Sequence, residues 1–456
     1  MLLKASLPPV LKLSIGQPHL AGSPVQKMAI DDLSAGRDSI CEGYTPDKGL
    51  SKYIRYATAL FNHRMPGIGI KDENVLFTTG GSGALSLLSA VLFENEKSSV
   101  IFPTPGFACH PETIKTYGAN VIYLATEQAD NYKISPDKLD KTLAENNVSL
   151  LILNDITNPT GVKYTQKELK ELGEVLRKHP NVLIFSDETY HDLAFDDKSQ
   201  FFLEVNPNLK HRTIVQYSFS KDNAGNPGLR GGVVYAPDVI DQNGKKVNLA
   251  NKMGLQQYRT ISGVTTISQF IMARVIEAKI NQHFDEKSQS WQEGGRYHEN
   301  QKAWESAMRQ EYKSNSELAK SEFEKAGMPV VVESGGGFFL FIDAGKFIGK
   351  KIPDHTTSFN GLKLTDLHKK VGGEVLDSDV KIVNYLAMVG NMVFVEGGPF
   401  GSAPEKGLLR ASVANTKENL SQISSRIAFS EKTLVKSAVE RLLEERKNSP
   451  VLQYFR

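Results

Sequence analysis

The pattern that most restricts the fold of this chain is an alternation. Short apolar, β-rich runs at Val75–Thr78, Val100–Phe102, Val121–Leu124, Leu150–Leu153, Val182–Phe185, Ile214–Tyr217 and Gly232–Tyr235 are separated by longer segments of helical character. Three of those segments, Ala84–Leu92, Gln166–Lys178 and Thr265–Ala278, repeat apolar residues at i, i+3 and i+4, the spacing that lines one face of a helix. The strand runs are continuously apolar, which suits strands covered on both faces. The expectation is an α/β domain whose mostly parallel seven-stranded sheet is sandwiched by helices.

Beyond about Asn281 the texture changes. His283–Lys325 is rich in Gln, Glu, Lys and Ser and reads as one or two long, solvated helices interrupted at Gly294-Gly295. Runs at Val330–Val332, Phe338–Ile342, Met392–Val395 and Leu408–Val413 suggest a smaller α+β domain, with Lys350–Asp379 a polar excursion inside it. The expected division is a large domain over residues 45–285 and a small domain built from residues 1–44 and 286–456. A total of 456 residues suits two or three domains at ~100–200 residues each.

Charge and cysteine content remove several classes of function. With 54 Lys+Arg against 52 Asp+Glu the net charge is +2, far from the basic excess of nucleic-acid or anionic-membrane binders. Cys41 and Cys109 are too few for a disulfide framework. Lys4, Pro8 and Pro9 break the first apolar run too early for a signal segment. No stretch approaches the ~18 apolar residues of a membrane-spanning helix. A soluble cytoplasmic enzyme with no metal centre is expected.

Six short motifs sit after strands or near the C-terminus, and each has a plain structural reading beside a chemical one. Thr79-Gly80-Gly81-Ser82-Gly83-Ala84 follows a strand and opens a helix, so its free amides can hold an anion. The same residues also fit a ligand-free glycine turn, or a serine nucleophile elbow that departs from G-x-S-x-G only at Ala84. Ser218-Phe219-Ser220-Lys221 puts a lysine just past a buried strand. A partly desolvated lysine is a nucleophile or Schiff-base former, and a solvated lysine at a loop start is the commoner case. Ser186-Asp187-Glu188-Thr189-Tyr190 places an acid at the carboxyl end of a strand, where α/β sheets bind ligands, or simply where a turn is capped. Asn158-Pro159-Thr160-Gly161 is by itself a turn. Arg230 and Arg410 each stand where an anion could be gripped bidentately.

Taken in order, these motifs resemble the class I/II aminotransferases, the fold-type I enzymes that use pyridoxal 5'-phosphate. The resemblance runs from Leu13-Ser14-Ile15-Gly16-Gln17-Pro18 through Tyr44-Thr45-Pro46, Gly81–Ala84, Pro103–Phe107, Asn158–Gly161, Asp187–Tyr190, Ser218–Lys221 and Arg230 to Arg410, nearly the whole chain. It implies that Lys221 holds the cofactor as an internal aldimine and shuttles the proton. Asp187 would pair with the pyridine nitrogen, and Asn158 and Tyr190 would bond the ring's phenolic oxygen. Gly81, Ser82 and Gly83 would carry the phosphate with Ser218, Ser220 and Arg230, and Phe107 would stack on the ring. Gly16, Asn158 and Arg410 would meet the substrate, Arg410 clamping its carboxylate. Tyr44 and Ser262 would complete the site of a neighbouring subunit, so a homodimer with shared active sites is implied.

The sequence departs from the family in two places. The loop from Lys221 to Arg230 is one residue longer than usual, and Gly225 and Gly228 would let it bulge. Arg259 falls near the position of a second carboxylate-binding arginine in dicarboxylate-specific relatives, with the register open by about a residue. The implied reaction exchanges an amino group between an amino acid and a 2-oxo acid by a ping-pong route. The alternatives are a lyase on the same scaffold (C–S lyase or ACC-synthase-like) and a serine hydrolase built on Ser82.

Overall fold

The computed structural model describes residues 9–40, 43–93, 98–196, 199–222, 224–240, 244–353 and 356–434. The opening residues read for a signal segment, and Cys41, lie outside them. All seven expected strands form, and they make one sheet. In chain order they are β1 (Val75–Thr78), β2 (Ser99–Thr104), β3 (Asn120–Ala125), β4 (Val148–Asn154), β5 (Leu183–Asp187), β6 (Thr213–Ser218) and β7 (Gly232–Tyr235). Their spatial order is β1-β7-β6-β5-β4-β2-β3. Neighbours are parallel except β7, which runs antiparallel to both β1 and β6.

The period of two in a strand divides the core into two faces. Val75, Phe77, Val215, Tyr217, Val233 and Tyr235 join one buried cluster with helices Ser51–Arg64 and Thr266–Ile280. Leu76, Ile214 and Val234, from the positions between them, join another with helices Gly80–Phe93 and Leu249–Ile261. A third cluster packs the Gln166–Lys178 helix through Leu169, Leu172, Val175 and Leu176. That helix begins where the sequence says it should, because Thr165 and Glu168 form a capping box.

The chain divides into two units, and the boundaries differ from those expected. One unit holds Gly16–Ser314 and Val332–Phe339, and the other holds Met1–Ile15, Asn315–Val331 and Leu340–Arg456. Residues 16–44 and 286–314 therefore belong with the large sheet. Gln26 Nε2 donates to the Ala224 carbonyl at 2.6 Å, and the two segments are joined to each other by Ser23 Oγ to Gln301 Oε1 at 2.5 Å and Trp304 Nε1 to the Ala21 carbonyl at 2.9 Å. Texture marked a change of solvation, not the end of a packed body.

The segment expected as one or two helices also differs. Gln282–Asp285 and Ser290–Glu293 pair as an antiparallel hairpin, and only His298–Lys325 is helical. Turn chemistry explains the hairpin: the Asp285 carboxylate accepts from the Lys287 and Ser288 amides at 3.1 and 3.2 Å. Phe284 and Trp291 pack against each other with ring centroids 5.6 Å apart, and Trp291 meets Tyr56 at 5.2 Å.

In the second unit, Phe339–Asp343, Leu408–Ser412 and Val395–Glu396 form a three-stranded sheet. Leu11–Lys12 pairs in parallel with Met392–Val393. Arg426, fully buried, donates to the Asn391 carbonyl at 2.8 Å and to the Pro9 carbonyl at 2.9 Å.

Candidate active site

The motifs converge because of sheet order. Helix Gly80–Phe93 follows β1, Phe107 follows β2, Asn158 follows β4, Asp187 ends β5 and Lys221 follows β6, so all five leave carboxyl ends of strands on one edge. Arg230 precedes β7, but β7 runs the other way, so its start lies at the same edge. Gly232 is paired with Thr78 on one side and Ser218 on the other. The edge beyond the carboxyl ends is where open α/β sheets bind ligands.

The glycine segment forms a helix start shaped around an arginine. Gly80 has φ +76°, and a methyl group there would meet Arg230 Nη2 at 2.9 Å. A methyl on Gly81 would meet the Gln216 amide at 2.9 Å. The Arg230 guanidinium donates to the Thr79 carbonyl and the Pro227 carbonyl, each at 3.0 Å. The loop from Lys221 to Arg230 turns through left-handed backbone at Gly225 (φ +60°) and at Arg230 itself (φ +51°). Thr79, Ser82, Gly83, Ser86 and Arg230 border an open hollow of about 460 Å³. Hydroxyls, a cation and unpaired helix amides are a phosphate's donor set.

Asp187 is almost buried and held from several sides. Thr189 donates to its Oδ1 through the hydroxyl at 2.6 Å and the amide at 3.2 Å. The Gln216 amide lies 2.6 Å from the same oxygen; with its nitrogen turned there it donates, while its oxygen accepts from the Tyr217 and Ser218 amides. His110 Nε2 stands 3.4 Å from Asp187 Oδ2. Burial keeps the His110 imidazole below its ordinary value despite the Asp187 charge beside it. Phe107 meets His110 edge-to-face at 5.2 Å. Gln216 and His110 were missed in the sequence. Gln216 is one amide inside an apolar strand, whereas His110 stands three residues after Phe107, a spacing that could have flagged it.

Lys221 Nζ donates to the Gly16 carbonyl and lies 5.8 Å from the centre of the Phe338 ring. Tyr190 packs edge-on against Phe338 and Phe339 at 5.7 and 5.8 Å. Asn158 is buried beside a cis bond to Pro159. Ser218 Oγ accepts from the Ser220 amide at 3.1 Å, so both serines are turned inward at the turn that presents Lys221. Phe338, from a Gly-Gly-Gly-Phe-Phe run, is a further site residue the sequence reading passed over.

Three residues singled out in the sequence are exposed. Tyr44 is 89% exposed, and Ser262 is an exposed left-handed cap on the Leu249–Ile261 helix. Thr45 Oγ1 donates to the Val264 carbonyl at 3.3 Å and so brings their two segments together. Arg259 is exposed on the same helix. Arg410, in the second unit, is buried, donates to the Ser14 carbonyl at 2.8 Å and lies over the Phe400 ring at 5.2 Å.

A strand-end acid, a lysine after the next strand and a phosphate cradle fit the donors that pyridoxal phosphate requires. Sheet and site define a fold-type I enzyme dependent on that cofactor. The family model for aminotransferase class I and II matches residues 8–427, and the chain belongs to that family. It is 27% identical over 428 residues to a probable aspartate/prephenate aminotransferase of Rhizobium leguminosarum, covering 93% of this chain and 92% of the relative. It is 25% identical to aromatic-amino-acid aminotransferase 2 of Thermococcus litoralis, covering 93% of each. The aspartate aminotransferase structure from Rhizobium meliloti has the same fold, with a TM-score of 0.72 at 20% identity over 93% of this chain and 92% of that one. Family membership leaves the hydrolase alternative for Ser82 without support. Among the described residues, no helix is long and apolar enough to cross a membrane.

Proposed function

We propose that the protein moves an amino group between an amino acid and a 2-oxo acid in two half-reactions of ping-pong order. The observation that carries this reading is the pairing of edges: Lys221 leaves β6 beside Asp187 at the end of the neighbouring β5. When bound, pyridoxal phosphate supplies an electron sink for charge developing at the substrate α-carbon. Lys221 would hold the cofactor through Nζ and then carry the proton to and from that carbon. Asp187, kept in place by Thr189, Gln216 and His110, would keep the ring nitrogen protonated. Asn158 and Tyr190 would bond the ring oxygen, and Phe107 would cover the ring. Gly81, Ser82, Gly83, Ser218, Ser220 and Arg230 would hold the phosphate. Arg410 and Gly16 would receive the substrate.

A homodimer with shared sites is part of the same reading. Leu255, Tyr258 and Ile261 expose 41%, 55% and 48% of their surfaces along the helix capped by Ser262. Apolar exposure of this kind, next to exposed Tyr44, suits a face covered by a second copy.

The test is direct. Protein supplied with pyridoxal phosphate should turn yellow, and borohydride should fix the cofactor on Lys221. Aspartate and aromatic amino acids, the donors in the relatives' names, should yield one equivalent of 2-oxo acid per site alone and turn over repeatedly only when an acceptor is added. Colourless protein, label on another lysine, or sustained turnover without an acceptor would refute the assignment.

A further inference from the structure

Directly after Tyr190 the chain turns through His191-Asp192-Leu193, and that turn holds a buried cluster to which the proposed reaction gives no task. His191 Nδ1 lies 2.7 Å from Asp155 Oδ2 and 3.4 Å from Glu188 Oε2. Its ring stands edge-on to Phe201 at 4.1 Å, and Ser199 Oγ is 3.4 Å from Nδ1. Asp155, Glu188 and His191 are 3%, 0% and 4% exposed. Their ligand-type atoms lie within 4.8 Å of one another. The arrangement is nonetheless a hydrogen-bonded ion pair and not a metal cage, because Nδ1 is taken by Asp155 and Glu188 Oε1 accepts from Ser186.

Each member is tied by the backbone to a segment bearing a proposed site residue. Asp155 stands three residues before Asn158 and accepts the Ile156 amide at 2.6 Å, at the start of that loop. Glu188 stands between Asp187 and Thr189, and its amide donates to the Gln216 carbonyl at 3.0 Å. His191 follows Tyr190, and the next residue, Asp192, donates its amide to Asp222 Oδ2 at 3.0 Å, one residue beyond Lys221. Asp192 is itself fixed by Arg64, Tyr217 and Lys279.

We propose that the Asp155–His191 pair, braced by Glu188, is a positioning device that holds the Asn158 loop, the Asp187 strand end and Tyr190 in one register around the cofactor. The proposal rests on the reading of Lys221 as the cofactor lysine. Burial alone would lower His191, but the hydrogen bonds and charges of Asp155 and Glu188 outweigh it and push the imidazole up to about 9. Burial, reinforced by the Asp155 charge, pushes Glu188 up to about 8. At neutral pH the cluster therefore keeps its protons on His191 and on Glu188. It ties the segments together without putting a second carboxylate charge next to Asp187.

The test uses Asp155→Asn, His191→Gln and the double variant, each loaded with pyridoxal phosphate. Two quantities are read without turnover: the cofactor dissociation constant and the pH midpoint of the bound cofactor's absorbance. Either single variant should weaken cofactor binding roughly tenfold and move the midpoint by about one pH unit. The double variant, which restores a neutral hydrogen-bonding pair, should recover part of both and keeps the test open if a single variant fails to fold. Leu172→Ala, which opens a cavity in the third core cluster, serves as a control for lost stability and should leave the midpoint where it was. Parental dissociation constants and midpoints in the Asp155 and His191 variants would overturn the proposal. So would a shift of equal size in Leu172→Ala. A parental protein that forms no chromophore defeats the Lys221 reading and this proposal together; a parental chromophore with unshifted variants defeats this proposal alone.

Discussion

Glu188 and His191 make stability depend on pH in a direction opposite to that of most acidic side chains in ion pairs. The Glu188 carboxyl is raised to about 8 from an ordinary 4.5, and His191 to about 9 from 6.5. In both cases the folded chain holds a proton that the unfolded chain releases, so stability falls as pH rises from about 4.5 through about 9. Glu188→Gln keeps the shape of the protonated acid and removes its share of that loss. Its melting temperature should gain on the parent by about 2–4 °C between pH 6 and pH 9; parallel pH curves for the two proteins would contradict the assignment. At this scale the sequence was legible only where a residue stood next to a readable element. Lys221 and Asp187 follow closely on largely apolar runs, so a charge there was conspicuous. Gln216 and Glu188 were not, because their contribution comes from burial and from partners distant in the chain.

The elements themselves were legible where hydrophobic pattern controls them. All seven strands and the Gln166–Lys178 helix matched their expected places within a few residues. The hairpin at 282–293 was hidden because its strands are polar and the apolar partner of Trp291, Tyr56, is supplied by another part of the chain. The helix start at Gly80 is a case where pattern and packing agree, and it carries a prediction. Gly80→Ala places a side chain at a positive φ and 2.9 Å from Arg230 Nη2, which should displace the guanidinium from the Thr79 carbonyl. Affinity for pyridoxal phosphate should fall at least ~10-fold, with a smaller loss for pyridoxal lacking the phosphate. Equal losses for the two ligands would mean that the change acts on the fold alone.

At the scale of the whole molecule, the boundaries of the two units were not legible, because hydrogen bonds such as Ser23–Gln301 carry no local signature. The exposed Tyr258 and Ile261 lead to a measurement of mass: Tyr258→Glu with Ile261→Glu should convert a dimer to monomer in sedimentation and leave each chain folded. A doubly substituted protein that sediments as a dimer would remove that face from the interface. The antiparallel return of β7 has a consequence for how such a chain can vary. Gly232 is pinned by strand pairing to Thr78 and Ser218, so both ends of the Lys221–Arg230 loop are fixed by the sheet and not by the loop's length. Between them the chain turns through left-handed backbone at Gly225 and Arg230. A residue added within this loop should therefore leave Lys221 and Arg230 at the same edge of the sheet, so that the spacing between the two can vary while the cradle stays in place.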